Sequence, residues 1–240
     1  MAFATTGQIT EAEKNIISIL NAATGGFNAS INDSRRNAEL ITSARRRATE
    51  ELIKAIAENR QHSYWGVLAS DVTVAHDAYL PEHIGKHGIP LIIQASGTPR
   101  QLGMEADADD IDSWRNDTLG LFTRFNGETV PHNDKDSNNQ PSPISGYYAI
   151  INKKLKFTGY SCVIPMIQLP ADNTWYDTHT PSEYISTVIK LALFYCFKEG
   201  DNVADAIMSF YQEGQRELGE IKAGTFSPVA SDVSAQQKEL

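Results

Sequence analysis

The sequence predicts an α+β protein: a helical bundle formed by N- and C-terminal helix pairs, an inserted β-rich domain and a flexible C-terminal tail. Three observations predict it. Thr180–Leu218 reads as a helical hairpin whose first arm, Tyr184–Phe197, is apolar almost all round, broken only by Ser186, Thr187 and Lys190. A soluble helix of that kind needs cover on several sides, and two amphipathic helices at the start of the chain are the nearest cover. Between these helix pairs the pattern changes to short apolar runs bounded by Gly, Pro, Asn and Asp, which is how strands and their turns are written. The expected division is 8–60 with 180–219 for the bundle, 61–179 for the insert and 220–240 for the tail.

In chain order, Thr10 and Glu13 have the spacing of a capping box ahead of Ile16, Ile17, Ile19 and Leu20, and Gly25-Gly26 closes that first helix. A second helix runs from about Ser34 to Asn59 on the stripe Ile41, Ala44, Ala48, Leu52 and Ile56, at steps of three and four. Strand-like stretches follow at Tyr64–Ala75 and Ile89–Ala95, with a loop from Tyr79 to Gly88 between them. Asp107–Leu119 reads as a short helix with an acidic first turn, which suits the helix dipole. Asn126–Pro143 is an exposed loop by composition. Tyr147–Ile151 and Leu155–Gly159 form a hairpin around Asn152–Lys154, and Ser161–Leu169 is a further strand. The closing hairpin opens at Thr180, Pro181 and Glu183, read as N-cap, first helical residue and capping-box partner. Gly200 ends its first arm, Asp201 or Asn202 caps the second, and Val203, Ile207, Phe210 or Tyr211, Gly214 and Leu218 recur at helical spacing. From Ala223 to Leu240 the chain is polar and expected to be disordered alone.

With 240 residues, 41% of them apolar, the chain has enough material for a substantial core. A net charge of -9 argues against a dedicated duplex-binding protein, whose phosphate-facing surface leaves a basic excess. Two cysteines, Cys162 and Cys196, lie in apolar runs and read as buried free thiols of a reducing compartment. The N-terminus has no basic segment followed by an apolar run, so no export signal is expected. The apolar arm is too short to span a bilayer, and no membrane partner is expected.

No catalytic, cofactor-binding or metal-ligating residue is assigned. His83 and His87 have a spacing that holds metal on a helix, with Asp71, His76 and Asp77 nearby, but Pro81, Gly85 and Gly88 make the segment a loop. Asp107–Asp112 fails as a calcium loop because Ile111 and Thr118 stand where ligands belong, and helix capping explains it better. Cys162 sits among Val163, Ile164 and Met166, where a thiol is inert. Nucleophile-elbow, phosphate-loop and dinucleotide-binding motifs are missing. Tyr147, Tyr148, Phe157 and Tyr160, beside Lys153, Lys154 and Lys156, have the makings of a base-stacking sheet, but packing of a hairpin explains them better. Arg45-Arg46-Arg47 fans around a helix and reads as a solvated face with one or two salt bridges, unable to form one tight anion clamp.

This arrangement resembles the head-to-tail adaptor (neck, or head-completion) proteins of tailed bacteriophages. Thr180–Ile185, Phe197–Ala204, the tail after Gly219, Leu80–Gly88 and the loop Pro141–Tyr148 carry the likeness. The resemblance implies a non-enzymatic virion structural protein, made in the host cytoplasm and located in the neck. It implies a homo-oligomeric ring, twelve-fold, beneath the portal protein, which the C-terminal tail would bind. The β-rich insert would face tail or neck proteins, and DNA would pass through the channel without specific binding. An adjacent subunit would finish burying the helix around Leu193 and Phe194. Other virion roles (tail-tube or capsid-decorating protein), a nucleic-acid-binding regulator and an enzyme with an unrecognised site are the alternatives.

Overall fold

In a computed structural model the described residues are 1–24, 34–85, 90–93, 101–116, 134–135, 141–142, 147–157, 161–197 and 203–226. In chain order the elements are α1 (Thr6–Thr24), α2 (Ser34–Glu58), α3 (Trp65–Leu68), β1 (Ser70–Val74), β2 (Ala78–Tyr79), β3 (His83–Ile84), β4 (Leu91–Ile93), β5 (Gln101–Leu102), β6 (Met104–Glu105), α4 (Ala108–Asn116), β7 (Asp134–Lys135), β8 (Pro141–Ser142), β9 (Tyr147–Ile151), β10 (Lys154–Phe157), β11 (Ser161–Gln168), α5 (Trp175–Thr178), α6 (Ile185–Tyr195) and α7 (Asp205–Ala223). The protein is mixed helix and sheet, as an α+β class requires. It divides into two units: residues 1–68 with 84–86 and 169–240, and residues 69–83 with 87–168. Among the described residues no helix is long and apolar enough to cross a membrane.

In the first unit α6 packs against α1, α2 and α7. Thr187 through Leu193 are seven consecutive buried residues, about two full turns, so every side of that stretch is covered by this chain. Leu191 and Leu193 are fully enclosed and need no second subunit. Phe194, half-buried, stacks on Tyr211 with centroids 4.1 Å apart. The expectation that a neighbour completes the cover at Leu193 is therefore corrected: α1, α2 and α7 suffice. Gly214 lets α7 approach closely, since a Cβ there would stand 3.0 Å from Leu191 Cδ2.

The opposing helices bury the expected stripes, with adjustments. Ile41, Ala44, Ala48, Leu52 and Ile56 of α2 are all buried, joined by Ile53, Ala55 and Ala57. On α1, Ile9, Ala12, Ile16, Ile19 and Leu20 face inward, whereas Ile17 is 37% exposed. Helical period explains the exception: Ile17 lies some 100° from Ile16, past the edge of the stripe.

Neither expected capping box forms where the sequence placed it. At α1 the box is Thr5 with Gln8: the Gln8 amide donates to Thr5 Oγ1 at 3.3 Å and the Thr5 amide to Gln8 Oε1 at 2.9 Å. Thr10 lies inside the helix and donates to the Thr6 carbonyl. At α6, Thr180 turns inward, donating to the Tyr176 carbonyl at 2.7 Å beside Thr49 Oγ1 at 3.2 Å. Pro181 is extended, a 3-10 turn spans Ser182–Tyr184, and α6 starts at Ile185 without a side-chain cap. The backbone here is claimed by the N-terminus: Ala4 N–H donates to Thr180 O and Ser182 N–H to Ala2 O. Residues 220–226, expected in the tail, complete α7 and its left-handed cap at Gly224, with the Thr225 and Phe226 amides donating to Glu220 O. Gly25-Gly26, Gly200, Asp201, Asn202, most of the 126–143 loop and the tail from 227 onward lie outside the described residues.

The second unit holds a sheet of order β1-β11-β4-β5 and a second sheet of order β2-β10-β9-β6. The hairpin β9–β10 turns at Asn152-Lys153, both with positive φ, the geometry of a two-residue primed turn. Leu155 and Phe157 pack with Val74, Cys162, Ile164 and Met166 between the sheets, while Ala149 and Tyr147 face Ala108 and Ile111 of α4.

Leu193→Ala removes a side chain enclosed by three helices and is expected to cost about 2–5 kcal/mol in urea unfolding. A cost near zero would show that α6 is not central to the core.

Candidate functional site

In the first unit a cluster of four charged side chains lies where α2 meets α1 and α5. Arg45, its side chain 2% exposed, sends Nε to Glu13 Oε1 at 2.9 Å and Nη2 to Asp177 Oδ1. Arg46 binds the same carboxylate with Nε to Oδ1 at 2.9 Å and Nη2 to Oδ2 at 2.5 Å. Thr42 adds a bond to Glu13 Oε1 at 3.0 Å. The expected solvated arginine face is corrected here. Consecutive helix positions diverge at Cα, but long guanidinium stems bend back, and two of the three arginines grip one carboxylate. Arg47 alone turns away, lying 4.2 Å from the Tyr195 ring centroid. Burial alone would raise the Asp177 pKa; hydrogen bonds from Arg46 and Arg45 outweigh it and hold the carboxyl below its usual 3.8.

A second charged cluster joins α6 to α7. Lys190 Nζ meets Glu217 Oε1 at 2.5 Å and Glu213 Oε1 at 2.9 Å, and Thr187 donates to Glu217 Oε2 at 2.5 Å. Two of the three polar breaks in the apolar arm are thus answered by one glutamate. Beside α2 runs an open groove of about 530 Å³, lined by Thr42, Ser43, Arg46, Glu50, Asn173 and Tyr176 among others. Of its two arginines, Arg46 is committed to Asp177 and Arg47 lies over the Tyr195 ring, and its charges are mixed in sign. Tyr176 keeps its proton, burial pushing its pKa up to about 12.

The residues singled out in the sequence have structural settings. His83 Nδ1 lies 2.8 Å from the Pro81 carbonyl, and His87 is outside the described residues. His76 packs edge-on against Phe157. Asp77 pairs with Lys154 at 3.5 Å, and Lys156 with Asp112. Among the described residues no group of three or more His, Cys, Asp or Glu is arranged to hold a metal ion. Asp107 accepts from the Asp109 amide at the start of α4. Cys162 and Cys196 are buried free thiols, each pushed up to about 12 by burial. Phe157 is 2% exposed and Tyr147 9%, so neither ring is offered for stacking; Tyr160 is outside the described residues. Sequence pattern missed Asp177 and Glu13 because ion pairing across 132 and 32 residues leaves no local period.

No protein-family model matches the chain, and neither a curated protein nor a solved structure matches it.

Asp177→Ala leaves the Arg45 guanidinium buried with Glu13 alone, a loss of about 3–5 kcal/mol expected from urea unfolding at pH 7. Because its folded pKa lies below 3.8, Asp177 contributes stability that is present above that value and lost as the pH falls through the folded value. Between pH 5 and pH 3 the wild type should therefore lose more stability than Asp177→Asn. Parallel pH profiles would remove Asp177 from this role.

Proposed function

We propose that the protein is a virion structural component of the head-to-tail adaptor type: a ring-forming subunit beneath the portal of a tailed bacteriophage, surrounding the DNA channel. One observation carries this reading: helices from both ends of the chain enclose α6, while the β-rich residues lie between them in sequence. In this reading α1, α2, α6 and α7 form a four-helix bundle and the β-rich unit is an insert that meets tail or neck proteins. The net charge of -9 lets DNA pass without adhering. The charged clusters support a building block rather than a catalyst, since their carboxylates are engaged by arginine, lysine and threonine within the fold.

Since Leu193 is enclosed within one chain, neighbours in such a ring meet on outer faces of the helices. The polar segment 227–240 is the portal-binding tail, and the cap through Phe226 belongs to the helical unit. A polar segment of this kind gains contact area on a partner while its ordering lowers net affinity.

Native mass measurement with image averaging of the purified protein is expected to show a closed ring, alone or on addition of portal. Deleting 227–240 should keep the helical signal and abolish portal docking. A protein that stays monomeric in the presence of portal, or a truncation that docks as well as the full chain, would overturn the proposal.

A further inference from the structure

The first unit closes on itself through a small aromatic and polar clasp that joins both ends of the chain. Residues Ala2–Ala4 lie as a strap along Thr180–Ser182, bonded through Ala4 N–H to Thr180 O at 2.8 Å and Ser182 N–H to Ala2 O at 3.1 Å. The fully buried Tyr64 fixes the strap from beneath. Its hydroxyl donates to Ala2 O at 2.8 Å and receives the Ala2 amide at 3.2 Å. Its ring lies 6.0 Å from Phe3. Tyr64 is held in turn by His62 and Tyr184, at centroid distances of 6.1 and 6.0 Å. Tyr184 also carries Phe226, 5.5 Å away, which follows the cap of α7.

His62 is the hub of this clasp. Its Nδ1 accepts the Tyr64 amide at 3.2 Å, so that nitrogen is unprotonated and the ring proton sits on Nε2, facing Tyr184 Oη at 3.0 Å. Only the neutral imidazole satisfies both partners. A second proton would place an N–H against the Tyr64 N–H. The charged and titratable groups around it are Glu183, Tyr184 and Tyr64, and Glu183 Oε1 lies 3.2 Å from the Tyr64 hydroxyl. Glu183 favours the cation, but burial opposes it more strongly and lowers the His62 pKa from 6.5.

We propose that His62 is a proton-operated latch: its neutral form holds the N-terminal strap and Phe226 on the helical unit, and its protonation loosens both. The sign follows from the lowered folded value. The latch contributes fully above the unfolded value of 6.5 and weakens as the pH falls from there toward the folded value. This inference does not depend on the proposed virion role.

The test is amide hydrogen exchange on the full chain at pH 7.5, 6.5 and 5.5, corrected for intrinsic rates. Protection at Ala2–Ala4, Tyr64 and Phe226 is expected to fall with acidification, by at most about tenfold per pH unit, the limit for one proton. Amides of α6 should keep their protection as an internal reference. His62→Gln, which offers one acceptor and one donor without titrating, should show a flat profile. His179→Gln should behave as wild type, although His179 lies 5.3 Å from Phe3 on the strap. A wild-type strap equally protected at pH 7.5 and 5.5, or an undiminished response in His62→Gln, would overturn the latch. If the glutamine variant does not fold, a proton titration of His62 by NMR decides: a value below 6.5 supports the latch and one at or above 6.5 refutes it.

Discussion

The enclosure of α6 is the constraint on which the helical unit depends. Seven consecutive buried residues leave the stretch Thr187–Leu193 no solvent face. Apolar contact on all sides is available only if α1, α2 and α7 are all in place, so residues near position 16 and near position 221 serve one core. Each consequence is visible in a neighbour. Gly214 gives α7 its close approach, and Glu217 receives both Thr187 and Lys190, so that the polar interruptions of α6 are not left unpaired. An unpaired ammonium there would cost several kcal/mol; the glutamate converts that liability into a fixed register between the two helices.

The arginine cluster does comparable work between α2, α1 and α5. Arg45 ties α1 to α5 through Glu13 and Asp177, and Arg46 completes the second carboxylate. Buried ion pairs contribute modestly to net stability but penalise any arrangement that separates them. Such a cluster therefore selects one packing of the chain ends over slipped alternatives. Within the cluster, the hydrogen bonds of Arg45 and Arg46 run to Glu13 and Asp177.

Much of this was legible beforehand, for identifiable reasons. The stripe of α2 and the hairpin β9–β10 are local patterns, with periods of 3.6 and 2 and a turn at Asn152-Lys153, and such signals survive tertiary context. Helix starts were less legible. Thr10 and Thr180 both had a glutamate three residues on, yet the first lies one turn inside α1 and the second faces Thr49. A capping box is a local signature and says nothing about a competing backbone partner, which at Thr180 is the N-terminal strap. The charged clusters and the His62 clasp were not legible, because Asp177, Glu13, Tyr64 and Ala2 meet only after the chain has folded. In the lysine-bearing hairpin, packing was the stronger reading of Phe157 and Tyr147 over base stacking, and both rings are buried.

If one shared core unites the two chain ends, α6 should open only when the whole helical unit opens. Native-state hydrogen exchange across a urea series measures this directly. The account predicts that the slowest amides of α1, α2, α6 and α7 converge on a single opening free energy and a single urea dependence. An α6 that stays protected after α1 or α7 has exchanged in a separate, lower-energy opening would contradict it.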